Sequence, residues 1–401
     1  MRTRVYLSKP GIISCTGNNI ETLYTSLAAA KRDGIVPFTI SGLHNFLVGR
    51  VFTEFLPPAA GCHDTRILRI TAAAAAQIEE SIRTVVQRFG GDRVALCVGS
   101  CDNGSEFSLP AHHTFFTKGS FPDDYDIDLQ GASGIAEYLA AVFNIKGPLI
   151  ATSAACASSA DALIKAASFI RAGICDAAVA GGVDIAKETV LLGFDSLGAV
   201  SKGLSNPFSK NRDGINLGEG GAFFVLSKEP FPMLDKQVIL AGEGLNADAY
   251  HMTAPEPEGI GARRAMEEAL GEAGIGPKDI DYINLHGTGT VQNDRAEAKA
   301  VASLFKDTAP LVSSTKPLTG HTLGAAGALE SAVCWYLLSG KEGPSPAAPL
   351  HCWDGVRDEE LPHLRFAEKG ELLPHIRYCM SNSFAFGGCN TSLVLGSPDA
   401  G

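Results

Sequence analysis

Leu149-Ile-Ala-Thr-Ser-Ala-Ala-Cys-Ala-Ser-Ser159 carries two periodicities back to back. The apolar run from Pro148 to Ala151 predicts a buried strand. From Ala157 to Arg171 the apolar residues Leu163, Ile164, Ala167 and Ile170 share one helical face, and Gly173 sits where a helix-ending glycine belongs. Cys156 therefore falls at a strand-to-helix turn, at or just before a helix start. Such a position offers unpaired backbone N–H groups and the positive end of the helix dipole. Both favour the thiolate, the nucleophilic form of cysteine. Ser153, Ala154, Ala155, Ala157 and Ser158 are small and leave room for a substrate beside the sulfur. A cysteine taken alone is more often a small buried core residue. Two other stretches supply the context that makes this one a candidate nucleophile.

The chain has 401 residues, 45% hydrophobic and 19% charged, an ordinary globular composition long enough for two core-sized units. Its net charge of -11 argues against general nucleic-acid binding. No apolar run approaches the roughly 18 residues of a membrane span. Met1-Arg-Thr-Arg-Val-Tyr-Leu7 lacks a long apolar core and reads as a first strand, not a signal peptide. The 10 cysteines form no Cys-x-x-Cys pair, which suits reduced thiols in a cytoplasmic protein.

Taken in order, the chain predicts a strand over 5–14, an irregular stretch over 32–62 and one long alanine-rich helix over 65–89. A strand over 93–98 leads into Gly99-Ser-Cys-Asp-Asn-Gly104, and residues 105–133 form an aromatic- and aspartate-rich insertion that reads as a cap. Strands and helices then alternate, and a second alternating series begins near Gln237. The pattern predicts an α/β protein of two halves, residues 1–236 and 237–401, each a mostly parallel sheet covered by helices.

His286 lies in Asn284-Leu-His-Gly-Thr-Gly-Thr290, where an apolar strand delivers it into a Gly/Thr loop. His321 lies in Ser314-Thr-Lys-Pro-Leu-Thr-Gly-His-Thr-Leu-Gly-Ala-Ala-Gly327, again between a strand and a helix, with glycines allowing close backbone approach. Two histidines at strand ends plus a cysteine at a helix start give a nucleophile and two N–H donors. That set suits acyl transfer through a thioester.

On these residues the chain resembles the β-ketoacyl-acyl-carrier-protein synthases, condensing enzymes of fatty-acid and polyketide assembly. The resemblance spans essentially the whole chain. It rests on Thr152-Ser-Ala-Ala-Cys-Ala-Ser-Ser159, Asn211-Arg-Asp-Gly214, Asp248-Ala-Tyr-His-Met-Thr253, His286-Gly-Thr-Gly-Thr290, Lys316 with Gly320-His-Thr-Leu-Gly-Ala-Ala-Gly327, and Asn382-Ser-Phe-Ala-Phe-Gly-Gly388. It implies a thiolase fold, two αβ halves in a five-layered α-β-α-β-α core, usually as a homodimer. A heterodimer with a related ketosynthase subunit stays open. The implied chemistry moves an acyl group from carrier-protein phosphopantetheine to Cys156. Decarboxylation of malonyl-carrier protein then supplies the carbanion that attacks the thioester.

The resemblance also implies individual roles. His286 and His321 stabilise the enolate, and the backbone N–H groups of Cys156 and Phe386 form the oxyanion hole. Lys316 pairs with Glu330. Thr288 and Thr290 hold the pantetheine amides, and Phe384, Phe194 and Asp102 border the substrate. Arg66, Arg69 and Lys202 dock the carrier protein. Asn284, Glu330, Ser381 and Asn382 match a monovalent-cation position of relatives, or form a plain hydrogen-bond cluster. No resident cofactor is implied, because phosphopantetheine arrives on the carrier protein.

Two stretches depart from the pattern. The gating loop reads Ala385-Phe-Gly-Gly388 where relatives have a leading glycine, so Ala385 either keeps a negative φ or opens the loop differently. Asp102 stands where relatives carry an apolar residue beside the acyl pocket. It can bond N–H groups of its own turn, pair with His112 or His113, or line a pocket for a polar or aromatic acyl end. Two other functions remain to be weighed: a non-catalytic partner subunit of a heterodimeric synthase, and a thiolase acting on acyl-CoA. The intact Cys156, His286, His321 and Lys316 argue against the first, and the histidine pair against the second.

Overall fold

The computed structural model describes residues 3–40, 45–59, 64–102, 104–340, 343 and 345–398. Its main sheet runs in the order Leu311–Ser313, Tyr282–Asn284, Tyr378–Phe384, Cys389–Gly396, Val238–Ala247, Tyr6–Leu7, Gly220–Ser227, Ala177–Asp184, Val94–Gly99, Leu149–Thr152. The short strand Tyr6–Leu7 pairs antiparallel on both sides and so joins two similar halves. Each half is mixed, not mostly parallel. One edge trio is parallel in each, Ala177–Asp184 with Val94–Gly99 and Leu149–Thr152, and Tyr378–Phe384 with Tyr282–Asn284 and Leu311–Ser313. The inner strands are antiparallel. Catalytic groups in such sheets collect beyond the carboxyl ends of the parallel strands.

Three apolar cores fill the spaces between the layers. On one outer face, Arg66–Ala76, Glu79–Phe89 and Gly134–Phe143 pack against the first half-sheet. On the opposite outer face, Ile260–Ala273 and Val291–Phe305 pack against the second. Between the half-sheets lie the helices Ser158–Arg171 and Ala326–Leu338. This is the five-layered α-β-α-β-α arrangement of the thiolase fold. Every residue of Ala326–Leu338 is buried, as a helix apolar on all sides requires. The two central helices approach closely because position 327 has no side chain. A Cβ there would lie 2.7 Å from the Ala160 Cβ.

Local expectations differ from the structure in three places. The strand over 5–14 is two short strands, Tyr6–Leu7 and Gly11–Ser14. The long helix over 65–89 breaks at Gln77 and Ile78. Gln77 leaves the helix and bonds both backbone groups of Ile12 with its side-chain amide, a long-range contact that outweighs the helical propensity of the alanines. The stretch over 32–62 contains an antiparallel pair, Ile35–Thr39 with Asn45–Gly49, extended in parallel by Leu217–Gly218. Residues Ser105–Lys118 of the insertion are helical.

Candidate active site

The Cys156 sulfur and one ring nitrogen each of His286 and His321 lie within 4.8 Å of one another. Each comes from beyond the carboxyl end of a different strand: Leu149–Thr152, Tyr282–Asn284 and Leu311–Ser313. Cys156 sits in a 3-10 turn, Ala155–Ala157, immediately before the helix Ser158–Arg171. It is 6% exposed and lines a cavity of 330 Å³. Exposed Leu197 and Val291 mark the mouth.

His321 Nε2 is 3.0 Å from the Cys156 sulfur, and the Leu323 N–H donates to His321 Nδ1 at 3.3 Å. A neutral imidazole that accepts at Nδ1 carries its hydrogen on Nε2, so the donor faces the reaction centre. The His286 ring stands edge-on to it, centroids 5.4 Å apart. Burial first, and then the Lys316 charge, hold both rings well below the usual histidine range. Both therefore stay neutral N–H donors at physiological pH.

The thiol departs from the expectation of a stabilised thiolate. The helix start is there, yet burial pushes the Cys156 thiol up to about 12, against the smaller downward pull of Lys316. Desolvation penalises the thiolate more than the local dipoles favour it. In the resting protein the nucleophile is held as the thiol.

Lys316 and Glu330 form a buried ion pair, each 2% exposed. Burial raises the Glu330 carboxyl to about 7, opposed by the Lys316 charge. Removing either partner leaves an uncompensated buried group, a loss of roughly 3–5 kcal/mol. Glu330 Oε2, both side-chain polar atoms of Asn284 and the Ser381 hydroxyl are buried with no hydrogen-bond partner among the described residues. Asn382 does not share that vacancy of partners. Its side chain accepts from Ser392 at 2.8 Å and reaches the Met266 sulfur at 3.5 Å.

Thr288 and Thr290 bring their hydroxyls to 2.9 Å of each other on the cavity wall. Phe384 packs 6.2 Å from His286, and Phe386 packs 5.7 Å from Phe194, all ring to ring and all lining the cavity. Ala385 keeps φ at -110°, an extended conformation open to any residue. Gly387 and Gly388 take the positive φ values of that loop instead.

Several residues singled out in the sequence find their partners close at hand. Asp102 follows the first of its three readings and bonds within its own turn: its carboxylate accepts from the Ser105 N–H at 2.8 Å and the Ser105 hydroxyl at 2.6 Å. His112 turns to its own helix, bonding the Ser108 carbonyl at 2.7 Å. Asp102 faces a separate small cavity with Ile67, Leu68 and Phe107. Arg66 is engaged within the protein. Its guanidinium is tied to fully buried Glu219 and donates to the Val51 carbonyl at 2.6 Å. Arg69 pairs with Asp64 at 2.7 Å, and Lys202 is exposed.

Several buried carboxylates escaped the sequence reading, and two of them brace the loops of the site. Glu297 accepts the backbone N–H groups of His286 and Gly287 at 2.8 and 2.7 Å, which fixes the loop carrying His286. An acid flanked by Ala296 and Ala298 was the one available signal. Asp184, at the end of Ala177–Asp184, accepts from the Ser100 hydroxyl at 2.9 Å, from the backbone N–H groups of Cys101 and Asp102 at 3.0 Å, and from the Gly324 N–H at 2.6 Å.

A thiol at a helix start and two neutral imidazole donors, lining one cavity of the thiolase fold, define an enzyme that transfers acyl groups through a thioester. The comparisons narrow the class. The models for the β-ketoacyl synthase N-terminal and C-terminal domains match residues 11–230 and 238–346, and the chain belongs to that family. It is 31% identical to 3-oxoacyl-[acyl-carrier-protein] synthase 2 of Vibrio cholerae, covering 98% of this chain and 99% of that protein. Its identity with the protein of the same name from Coxiella burnetii is 32%, over 98% of each. Among solved structures it resembles a chain from the complex of the ketosynthase ApeO with its chain length factor ApeC from Xenorhabdus doucetiae. That likeness has a TM-score of 0.89 and 36% identity over 98% of each chain. The protein is an acyltransferase of the condensing-enzyme class. No helix among the described residues is long and apolar enough to cross a membrane.

Proposed function

We propose that this chain condenses an acyl group held on Cys156 with malonyl-acyl-carrier protein, giving 3-oxoacyl-acyl-carrier protein and CO2. The observation that carries the reading is the 3.0 Å approach of His321 Nε2 to the Cys156 sulfur, with His286 in the same cluster. In the first half-reaction the sulfur–carbon bond to Cys156 forms, and the pantetheine thiol leaves with the Cys156 proton. In the second, the carbon–carbon bond to the malonyl carboxylate breaks, and its electron pair moves toward the thioester oxygen. The N–H groups of His286 and His321 meet that developing charge. The enolate carbon then attacks the Cys156 thioester, with the backbone N–H groups of Cys156 and Phe386 as the oxyanion hole. Losing one such donor costs about 3 kcal/mol of transition-state stabilisation. Collapse breaks the carbon–sulfur bond and returns Cys156.

In this reading Lys316 and Glu330 fix the site, and Thr288 and Thr290 hold the pantetheine amides beside Phe384, Phe386 and Phe194. The unpartnered Asn284, Ser381 and Glu330 groups fit a monovalent cation, which would balance the Glu330 charge. Arg69 and Lys202 remain for the acidic carrier protein, whose phosphopantetheine serves as substrate and replaces any resident cofactor. Each half, 1–236 and 237–401, is one αβ unit, and the enzyme works in the cytoplasm. The pathway is fatty-acid, polyketide or aryl-polyene assembly. The likeness to a chain from a complex of a ketosynthase with its chain length factor supports a heterodimer, in which this chain, with its Cys156, is the active subunit.

The test separates the half-reactions. His286→Ala and His321→Ala should each lower CO2 release from malonyl-carrier protein by about 10²-fold or more while slowing Cys156 acylation far less, because enolate charge develops only in the second step. Slow acylation with normal CO2 release in both variants overturns the assignment.

A further inference from the structure

Asp184 lies outside the roles just described, and its surroundings are unusual for a carboxylate. It is 1% exposed. No cation pairs with it among the described residues. Its charge is met by N–H and O–H donors alone, all from two loops. Ser100, Cys101 and Asp102 come from the turn after Val94–Gly99. Gly324 comes from the other half of the chain, three residues past His321. The first loop presses on the start of the nucleophile's helix. A Cβ at Gly99 would lie 2.3 Å from the Ser158 backbone. The second loop supplies the Leu323 N–H that fixes the His321 tautomer. Space around the carboxylate is full, since a Cβ on Gly324 would sit 2.5 Å from Asp184 Oδ2.

We infer that Asp184 is a positioning residue for the condensation step: by clamping Gly324 to the Ser100–Asp102 turn, it holds the Leu323 N–H against His321 and so keeps the His321 Nε2–H aimed at the reacting oxygen. The inference rests on the proposed role of His321 in enolate stabilisation. Its physical basis is that an ionised carboxylate is an acceptor only, able to take all these donors at once, whereas a carboxamide presents a competing NH2. A displacement of about 1 Å in a group that contacts the reacting atoms costs about 10²-fold in rate.

The carboxyl is also placed to respond to pH. Burial, with the nearby Asp102 charge adding to it, raises Asp184 to about 7, while the donors pull the other way. The ionisable groups that face it are Asp102 and Cys101 on the turn and Cys156 on the helix start. Asp102 is already bonded to Ser105, and the Cys101 thiol is pushed above its ordinary range by burial. Protonating Asp184 removes acceptors from the clamp, so CO2 release should fall as pH drops through about 7.

Asp184→Asn in the full chain tests this directly, with Cys156 acylation, CO2 release from malonyl-carrier protein and thermal unfolding measured on one preparation. The expected result is a loss of about 10²-fold in CO2 release, a loss of under about fivefold in acylation, and cooperative unfolding. Parallel losses in both steps, or none in either, overturn the inference. Should Asp184→Asn fail to fold, Ser100→Ala serves: it keeps the carboxylate and removes one donor that favours the charged form. The acid limb of CO2 release should then move to higher pH, and an unmoved limb refutes the role. His321→Ala run alongside separates the two claims. If it leaves CO2 release intact, the functional reading fails. If it slows CO2 release and Asp184→Asn does not, only the positioning role fails.

Discussion

The turns that precede the two central helices use one backbone for two purposes. In the first half a 3-10 turn, Ala155–Ala157, leads into Ser158–Arg171, and in the second a 3-10 turn, Leu323–Ala325, leads into Ala326–Leu338. Both open on a non-glycine residue in the left-handed region, Ala155 at φ 46° and Leu323 at φ 52°. Each costs of order 1–2 kcal/mol, a strain the surrounding packing has to hold. The next residue divides them. In the first turn it is Cys156, whose side chain enters the cavity. In the second it is Gly324, where the Asp184 oxygen occupies the space a side chain would need. The same junction presents a nucleophile in one half and an N–H to a buried carboxylate in the other. Duplicated architecture fixes where a group can be placed, and the neighbouring strands decide which group fits.

The sharpest way to break the comparison is at the first turn. Cys156→Ala should abolish 3-oxoacyl product while CO2 release from malonyl-carrier protein survives, because both histidines remain. Product and CO2 are measured separately, and full condensing activity in the variant removes Cys156 from its role.

Alkylation of the substrate-free protein by iodoacetamide gives the next largest effect. A thiol raised to about 12 is protonated throughout the neutral range, so its thiolate fraction grows about tenfold per pH unit. The alkylation rate of Cys156, followed by mass spectrometry, should rise about 10²-fold between roughly pH 7 and 9. A plateau below about pH 8 would show that the helix start outweighs burial after all.

Gly324→Ala probes the second turn. The new Cβ meets the Asp184 carboxylate at 2.5 Å and the Cys101 nitrogen at 3.0 Å. Backbone and carboxylate must shift, at an expected cost of about 2 kcal/mol in urea unfolding, in the range of overpacked buried sites. Cys156→Ala, at the equivalent place in the first turn, should cost less. Equal stability of Gly324→Ala and the unmodified protein would remove the close fit on which the contrast stands.

The smallest effect lies at the surface. Charge reversal at Arg69 and Lys202 should raise the KM for carrier protein a few-fold at low salt and leave a small thioester substrate unaffected. Arg66 is left out of this test because its guanidinium serves buried Glu219.

The chemistry was legible in the sequence because it is announced locally. Cys156, His286 and His321 each follow an apolar run and sit among small residues, so period and composition placed all three at strand ends. The alternation of strands and helices gave the layers, and the second series gave the duplication. Local periodicity could not show that the strands nearest the middle run antiparallel, since pairing direction is decided between segments far apart in the chain. Nor could it foresee the break at Gln77, which answers to Ile12, a partner 65 residues away.

What the sequence determined by itself is which reactive groups exist and on which kind of local element each is mounted. Strand and helix periods are properties of short windows, and turn-forming residues mark where those windows end. What only the tertiary structure decided is how those groups behave. The distance of 3.0 Å between Cys156 and His321 joins residues 165 apart, and the bond from Gly324 to Asp184 spans 140. Burial turns Cys156 into a protonated thiol, keeps both histidines neutral, and commits Arg66 to Glu219. These outcomes depend on desolvation and on donors brought in from other strands, and neither is a property of any short stretch of chain.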